Sequence, residues 1–153
     1  MIELVIEERR CHVTVIMATL WRDEMAHAKA SIGTTNYAVS ITAGHHEITA
    51  DEGVELGGKD VGPAPYDLLC SALCACTAIT LRMYAERKKW PLRAVHVDVH
   101  FAREGEDDAI ARLLSFEGDL DDEQRARLAD IAERTPVTLT LKQGLPITTT
   151  LAR

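Results

Sequence analysis

The stretch from Gly57 to Pro91 constrains the fold of this chain more than any other. A loop rich in glycine and proline leads into a segment that has no charged residue between Asp67 and Arg82 and that carries three of the four cysteines. A helix built from such a segment has no polar face, so it must be covered on nearly every side. The segment therefore predicts a buried central helix.

Residues that favour helix termini mark both ends of this helix. Pro65 suits the first helical position, where its missing N–H costs nothing, and Asp67 in the first turn meets the positive end of the helix dipole. The basic residues 87–89 complement the negative end, and Pro91 stops the helix. The sequence thus predicts a helix of about 24 residues, roughly 36 Å long.

Composition and charge exclude several classes of protein. The apolar run Leu68–Leu81 is shorter than the roughly 18–20 residues that cross a bilayer. The net charge of −7, which no cluster of lysine and arginine offsets, argues against nucleic-acid binding. The first ten residues carry acids where a signal peptide needs basic residues, and clustered cysteines suit a reducing compartment. We therefore expect a cytoplasmic protein that does not span a membrane.

Period-two alternation predicts strands on both sides of the central helix. Valines at alternate positions of residues 93–102 are typical of a strand with one buried face. Asp121 and Gln124 form a capping-box pattern that opens a second helix, expected to run to about Arg134 and to end before Pro136. The expected strands lie in residues 28–51, broken at 33–36 and 44–46, and in residues 93–102, 111–116, 137–141 and 147–151.

These elements combine into an α+β fold. One sheet can cover only one side of the central helix, so the other side needs a second layer. An identical chain is the simplest source of that layer, which predicts a homodimer. Residues 1–27 have no turn pattern that connects them to the strands expected after residue 27. We expect an N-terminal extension there, able to supply an extra strand, and one domain over residues 28–153.

The central segment GGKDVGPAPYDLLCSALCACTAITLRMYAERKKWPL resembles the OsmC/Ohr family of osmotically induced and organic-hydroperoxide-resistance proteins. The segment ERTPVTLTL resembles the second motif of that family, and ITAGHHEITADE resembles its early hairpin, so the similarity covers roughly residues 27–151. The resemblance implies an OsmC-like fold, with a long central helix packed on an antiparallel sheet in an intertwined homodimer. It also implies thiol peroxidase chemistry, in which Cys76 reduces a hydroperoxide.

The chain departs from the family pattern where a second cysteine normally precedes the proline of the second motif. Thr135 stands at that position, before Pro136, and a hydroxyl cannot form the disulfide that resolves an oxidised cysteine. The position that is often histidine in the family is Thr138 here. Only Asp67 can represent the family's acid in the first turn of the helix, and no residue matches its activating arginine.

Helix geometry limits what the cysteines can do together. Cys70 and Cys74 lie about 40° apart, whereas Cys76 points about 160° away from Cys74. Because the sulfurs diverge, we expect neither a disulfide to Cys76 within the helix nor a metal site. Cys76 lies about three turns inside its helix, so the dipole of that helix cannot activate it and a cation must come from another element. Asp67 can reach Cys76 only from a partner chain; otherwise Asp67 stabilises the start of the helix.

Two further patterns are interpreted as structural. The run Gly53–Asp60 nearly spells a phosphate loop, but Asp60 stands where serine or threonine should and would repel phosphate. His96, Asp98 and His100 share one strand face with neighbours about 6.6 Å apart, which favours a solvated surface over a metal site.

Two functions remain open from the sequence. The first is an enzyme that reduces hydroperoxides with Cys76 and Asp67 as catalytic residues, no cofactor, and an external thiol that replaces the missing second cysteine. The second is a non-enzymatic dimer that binds an apolar small molecule in a pocket between its subunits. Loss of the second cysteine favours the second function, and retention of Cys76 favours the first.

Overall fold

The computed structural model describes residues 25–104 and 107–152, which form two compact units divided after Gly62. The proposed N-terminal extension, including Cys11, lies almost entirely outside the described residues, and the domain boundary after residue 27 stays a prediction. The elements are β1 (Ala28–Ile32), β2 (Val39–Ala43), β3 (His46–Ala50), a 3-10 helix (Val54–Leu56), α1 (Pro65–Lys88), β4 (Leu92–Glu104), β5 (Asp107–Gly118), α2 (Asp122–Ala132) and α3 (Pro136–Gln143). The predicted α+β class is confirmed.

The first unit contains a three-stranded antiparallel sheet in the order β1-β2-β3. The chain breaks between these strands where the glycine-containing segments predicted it. Gly44 adopts a positive φ of 62° in the tight turn between β2 and β3, a conformation that favours glycine. The strand predictions for this part of the chain are confirmed.

The loop after β3 is organised by a buried carboxylate. Asp51 is 2% exposed and accepts hydrogen bonds from the backbone N–H groups of Glu52 (2.9 Å), Lys59 (2.9 Å) and Val61 (3.3 Å). Burial raises the pKa of Asp51, but the three N–H donors together outweigh it and hold that pKa below its ordinary value. The loop that nearly spells a phosphate site is therefore held by an acid of the chain itself, in agreement with the structural interpretation.

In the second unit, α1 begins and ends where the sequence predicts. Pro65 occupies the first turn, and the Asp67 carboxylate accepts the N–H of Ala64 at 3.0 Å, which caps the helix. Lys89 leaves the helix in the left-handed conformation, and the N–H of Trp90 bonds back to the carbonyl of Ala85 at 2.9 Å. The 24-residue length matches the prediction.

The hairpin of β4 and β5 forms a two-stranded antiparallel sheet against which α1 packs. Gly118 is the last residue of β5 and pairs with Leu92 at the open end of the hairpin. Its φ is 135°, and a Cβ there would lie 2.1 Å from the carbonyl oxygen of Pro91. The predicted capping box of Asp121 and Gln124 opens α2. The core of the unit joins the end of α1, the start of β4 and the inner side of α2, and its buried members are Leu81, Ala85, Leu92, Leu120, Leu128 and Ala132.

The strand predicted at residues 137–141 is wrong, because this segment is the helix α3. Val137 and Leu141 are half-buried and Thr138 is buried, while the two residues between them are exposed, which is helical spacing. The apolar residues and threonines of this segment fit the spacing of a strand and also that of a helix. Pro136 at the first helical position favours the helix.

The strand predicted at residues 147–151 is also wrong for the chain as described. Residues 144–152 have no regular secondary structure, and Ile147 and Leu151 are 91% and 88% exposed. A strand needs a neighbour that pairs with its backbone groups, and no strand within residues 25–104 and 107–152 pairs with this segment.

The apolar surface of α1 is only partly covered. Ile79 and Met83, one helical turn apart, are 60% and 55% exposed. Of the described part of the chain, α1 is the one helix long and apolar enough to cross a membrane by length and composition alone. That is weak evidence for a membrane span, because the core helix of a soluble protein passes the same test.

Candidate functional site

Cys76 lies against the amino end of α3. The backbone N–H of Val137 donates to the Cys76 Sγ at 3.5 Å. Thr135 is the N-cap of α3 and Pro136 takes the first helical position, so Val137 lies in the first turn, where backbone N–H groups lack partners within the helix. The partial positive charge of a helix amino end stabilises negative charge placed there. The sulfur therefore meets the positive end of a second helix rather than that of its own.

Sequence reasoning missed this contact because it assigned a strand to residues 137–141. It required a cation from another element, and the structure supplies a helix amino end from another element instead. The Thr135–Pro136 pair was the available signal, since a threonine followed by proline is a helix-start pattern.

Thr135 belongs to a buried network of hydroxyl groups. Its Oγ1 lies 2.6 Å from that of Thr138, and the Thr138 hydroxyl also donates to the carbonyl of Ala132 at 3.2 Å. A hydroxyl has one hydrogen, so Thr135 is the donor in the bond between the two threonines. Thr135 does not end the second helix, as the sequence suggested, but is the N-cap of the third.

Arg112 brings a largely buried positive charge to the same region. Its side chain is 10% exposed, and its Nη1 donates to the hydroxyls of Thr77 and Thr138, both at 3.0 Å. Its Nη2 donates to Glu133 at 3.0 Å. Thr77 is adjacent to Cys76 in sequence, so this guanidinium links α1, β5 and the start of α3.

Glu133 completes the charged group on the surface side of Arg112. Its carboxylate also accepts from Lys142 at 2.6 Å. The hydrogen bond from Lys142, followed by that from Arg112, holds the pKa of Glu133 below its ordinary value. Sequence analysis did not single out Arg112, although its position was informative: it shares the inner side of β5 with half-buried Leu114 and Phe116.

Cys74 faces a different neighbour. Its Sγ donates to the carbonyl of Val97 on β4 at 3.6 Å. Burial is the largest cause that raises the pKa of the Cys74 thiol, followed by Cys70 and Asp98, while Arg112 acts in the opposite direction. Cys70, Cys74 and Cys76 form no disulfide. The predicted divergence of Cys74 and Cys76 is confirmed by their separate partners.

Asp67 is not brought to Cys76 by any contact within the described chain. Its carboxylate caps α1 through Ala64, and nine residues of helix separate it from Cys76, about 13.5 Å along the axis. Its catalytic role stays a prediction that needs a partner chain.

On the outer side of the hairpin, the histidines form pairs with acids. His96 lies 2.9 Å from Glu117, and His100 lies 3.2 Å from Asp98. These side chains are exposed, as the sequence interpretation expected. Among residues 25–104 and 107–152, no group of three or more histidine, cysteine, aspartate or glutamate side chains could hold a metal ion.

Comparison with known proteins identifies the family. Residues 57–150, well over half of the chain, match the sequence profile described as OsmC-like protein. The chain therefore belongs to the OsmC-like protein family, as the resemblance of its central segment predicted. No curated protein matches the sequence.

Solved structures share the fold at low sequence identity. An OsmC-like protein from Mycoplasma pneumoniae is 19% identical, with a TM-score of 0.68 over 79% of this chain and 89% of that one. The organic hydroperoxide resistance protein OsmC from Legionella pneumophila is 23% identical, with a TM-score of 0.60 over 79% and 91%. OhrB of Bacillus subtilis is 20% identical, with a TM-score of 0.55 over 76% and 90%. The fold is thus shared with these solved structures, two of which are named as organic hydroperoxide resistance proteins.

Proposed function

We propose that this protein is a thiol-dependent peroxidase that reduces organic hydroperoxides through Cys76 and takes its electrons from an external thiol. The contact between the Cys76 Sγ and the N–H of Val137 carries the proposal. The thiolate is the nucleophilic form of cysteine, and cysteines at helix amino ends are among those that react. Cys76 is also partly exposed, so a small hydroperoxide can approach its sulfur.

The proposed reaction begins with attack of the Cys76 thiolate on the terminal oxygen of a hydroperoxide. The S–O bond forms as the O–O bond breaks, and the departing alkoxide takes a proton to become an alcohol. Sulfur gives up two electrons, which leaves a sulfenic acid on Cys76. An external thiol then attacks this sulfur, releases water and forms a mixed disulfide, and a second thiol frees Cys76.

The proposal of an external thiol rests first on Thr135, which stands in place of the family's second cysteine. Its hydroxyl has no sulfur to offer, and its hydrogen is donated to Thr138. Cys70 and Cys74 point away from Cys76 on the same helix, so neither supports an intramolecular disulfide with it. A low-molecular-weight dithiol or a small protein thiol therefore fits the second half of the reaction.

The proposal includes a homodimer. The exposed apolar side chains of α1, Ile79 and Met83, and those of the last segment, Ile147 and Leu151, favour burial against a second copy. In such a dimer, Asp67 of the partner helix is the candidate acid, and the substrate pocket lies between subunits. We expect the dimer to be cytoplasmic, with no membrane and no nucleic acid as partner. A folded monomer at micromolar concentration in equilibrium sedimentation would contradict this part of the proposal.

Peroxide consumption tests the enzymatic function. The protein is supplied with an organic hydroperoxide and, in parallel reactions, thioredoxin, dihydrolipoamide or glutathione. We expect turnover with at least one reductant, loss of about a thousandfold or more in Cys76→Ser, and retention in the matched control Cys74→Ser.

Absence of turnover with all three reductants would instead support the second candidate, a dimer that binds an apolar small molecule without chemistry. The replacement of the second family cysteine by Thr135 is the observation that favours this alternative. Binding of a fluorescent apolar probe by the inactive protein, unchanged in Cys76→Ser, would then distinguish it.

A further inference from the structure

We propose that Arg112 is a positioning residue that holds the first turn of α3 against Cys76 and thereby sets the reactivity of its sulfur. The inference rests on the proposed function of Cys76 as a nucleophile. Arg112 has no contact with the sulfur itself among its hydrogen bonds, so its role acts through neighbouring residues.

Two parallel links join α1 to the amino end of α3. The first is the hydrogen bond from the N–H of Val137 to the Cys76 Sγ. The second runs through Arg112, whose Nη1 donates to Thr77 and to Thr138, the residues next to Cys76 and Val137 in sequence. Because each partner of the second link adjoins a partner of the first, loss of the guanidinium frees the backbone that carries the N–H donor.

The link from Arg112 to α3 depends on the hydroxyl of Thr138. This hydroxyl donates its one hydrogen to the carbonyl of Ala132 and accepts from both Thr135 and Arg112, which uses all of its hydrogen-bonding capacity. Thr138 is 6% exposed, so water cannot easily replace a lost partner. Removal of Arg112 leaves the buried Thr138 hydroxyl with one donor instead of two and breaks its link to Thr77, which favours a shift of that helix turn.

Packing alone does not explain an arginine at this position. Leu114 and Phe116 occupy the same side of β5, and an apolar side chain would avoid the desolvation that a buried charge requires. The planar guanidinium instead provides donors in a fixed arrangement that reaches two threonines and Glu133 at once. A lysine at position 112 keeps the charge but not that arrangement.

The test measures alkylation of Cys76 by iodoacetamide from pH 5 to pH 10, with tandem mass spectrometry to separate it from Cys70 and Cys74. The variants are Arg112→Met, Arg112→Lys, and the pair Thr138→Val and Thr138→Ser. Arg125→Met is the matched control, because Arg125 also makes three hydrogen bonds, to the carbonyls of Phe116, Gly118 and Leu120. Thermal unfolding of each variant is recorded in parallel.

We expect Arg112→Met to slow alkylation of Cys76 about tenfold near pH 7 and to change its pH–rate profile. Arg112→Lys restores part of the rate. Thr138→Val, which removes the hydroxyl and leaves the charge, slows alkylation in the same direction, and Thr138→Ser does not. Arg125→Met lowers the melting temperature without moving the profile.

A profile in Arg112→Met that coincides with that of Arg125→Met would overturn the inference. If Arg112→Met does not fold, the test uses Thr138→Val instead. A pH–rate profile of Thr138→Val that matches the wild-type profile would also overturn the inference. The proposed function is tested separately by peroxide turnover. If the protein shows no peroxide turnover but alkylation of Cys76 still depends on Arg112, the proposed peroxidase function is refuted. The positioning role of Arg112 is then retained.

Discussion

Cys74 and Cys76 are two residues apart on one helix, and their sulfurs meet opposite backbone groups. The Cys74 Sγ donates to the carbonyl of Val97, whereas the Cys76 Sγ accepts from the N–H of Val137. A carbonyl partner requires the thiol to keep its proton, and an N–H partner favours negative charge on sulfur. The contrast shows what distinguishes a cysteine that only packs from a candidate nucleophile on the same helix. It is whether the sulfur meets a backbone carbonyl or a backbone N–H group.

The charges around the two cysteines reinforce this contrast. Burial, Cys70 and Asp98 raise the pKa of Cys74 and outweigh the opposite effect of Arg112. On the other side of the helix, Arg112 joins the residues next to Cys76 and Val137. One face of α1 thus keeps a thiol neutral, and the other presents a helix amino end supported by a guanidinium.

Oxidation by a hydroperoxide should separate the two cysteines most. Brief exposure to one equivalent of an organic hydroperoxide should oxidise Cys76 at least about tenfold faster than Cys74 or Cys70, because the anionic form of a thiol is the reactive one. Tandem mass spectrometry after trapping of sulfenic acid measures the ratio. Oxidation of Cys70 or Cys74 while Cys76 stays reduced would show that Cys76 is not the reactive cysteine of this helix.

Thr135→Cys should sharpen the comparison by giving Cys76 alone an intramolecular partner. We expect peroxide turnover to rise about three- to tenfold, with a disulfide between positions 76 and 135 in non-reducing mass spectra, since a nearby thiol reacts faster than one in solution. The lost hydrogen bond to Thr138 should cost about 1 kcal/mol of stability. Thr135→Val is the control for that loss. An introduced thiol that leaves turnover unchanged would count against Cys76 as a peroxidatic cysteine.

Asp98→Asn should affect Cys74 alone. Asp98 helps to raise the pKa of Cys74, so removal of its charge should lower that pKa and speed alkylation of Cys74 near pH 8.5. The effect should be about twofold, because the Asp98 side chain is 63% exposed and salt screens it. The alkylation rate of Cys76 serves as the internal control. An equal increase at Cys76 would show that the charge of Asp98 acts on both cysteines.

Substitution of Glu133 should have the smallest effect of these changes, and it should alter the stability of the fold at acid pH. Its pKa is lowered in the folded state, so its stabilising contribution is present above the unfolded value near 4.3 and is lost as pH falls through the folded value. Because Glu133 is 59% exposed, we expect Glu133→Gln to remove less than about 1 kcal/mol of stability at pH 7 and to flatten the decline between pH 5 and pH 3.

Urea unfolding at several pH values measures this contribution. Glu86→Gln on the exposed side of α1 is the control substitution. An equal slope in wild-type protein and Glu133→Gln would show that the ion pairs of Glu133 add no stability on the Cys76 side.

Much of the fold could be predicted because its signals are local. Pro65, Asp67 and the charge-free run between Asp67 and Arg82 define α1 within one residue of its observed ends. Alternating valines define β4, and Asp121 with Gln124 defines the start of α2. Helix caps and strand periods depend on residues that are neighbours along the chain, so the sequence contains the whole pattern.

The segments at residues 137–141 and 147–151 were predicted as strands because short apolar alternation fits more than one structure. Contacts from other elements decide such segments. Thr138 turns inward to meet Arg112 and Ala132, and these hydrogen bonds fit a helix that begins at Pro136. The Thr135–Pro136 pair contained the correct signal, but it competed with the apolar alternation of residues 137–141.

The sequence by itself determined the long apolar helix, the α+β class, the family, and Cys76 as the cysteine to examine. It also determined that no second cysteine precedes Pro136. Only the tertiary structure decided what Cys76 faces, because its donor Val137 lies on α3 and is far from it in the chain. Arg112 on β5 is also distant in sequence, and it bonds to Thr77, the neighbour of Cys76. The charge state of a thiol depends on the groups within a few ångströms of its sulfur, and folding, rather than sequence spacing, chooses those groups.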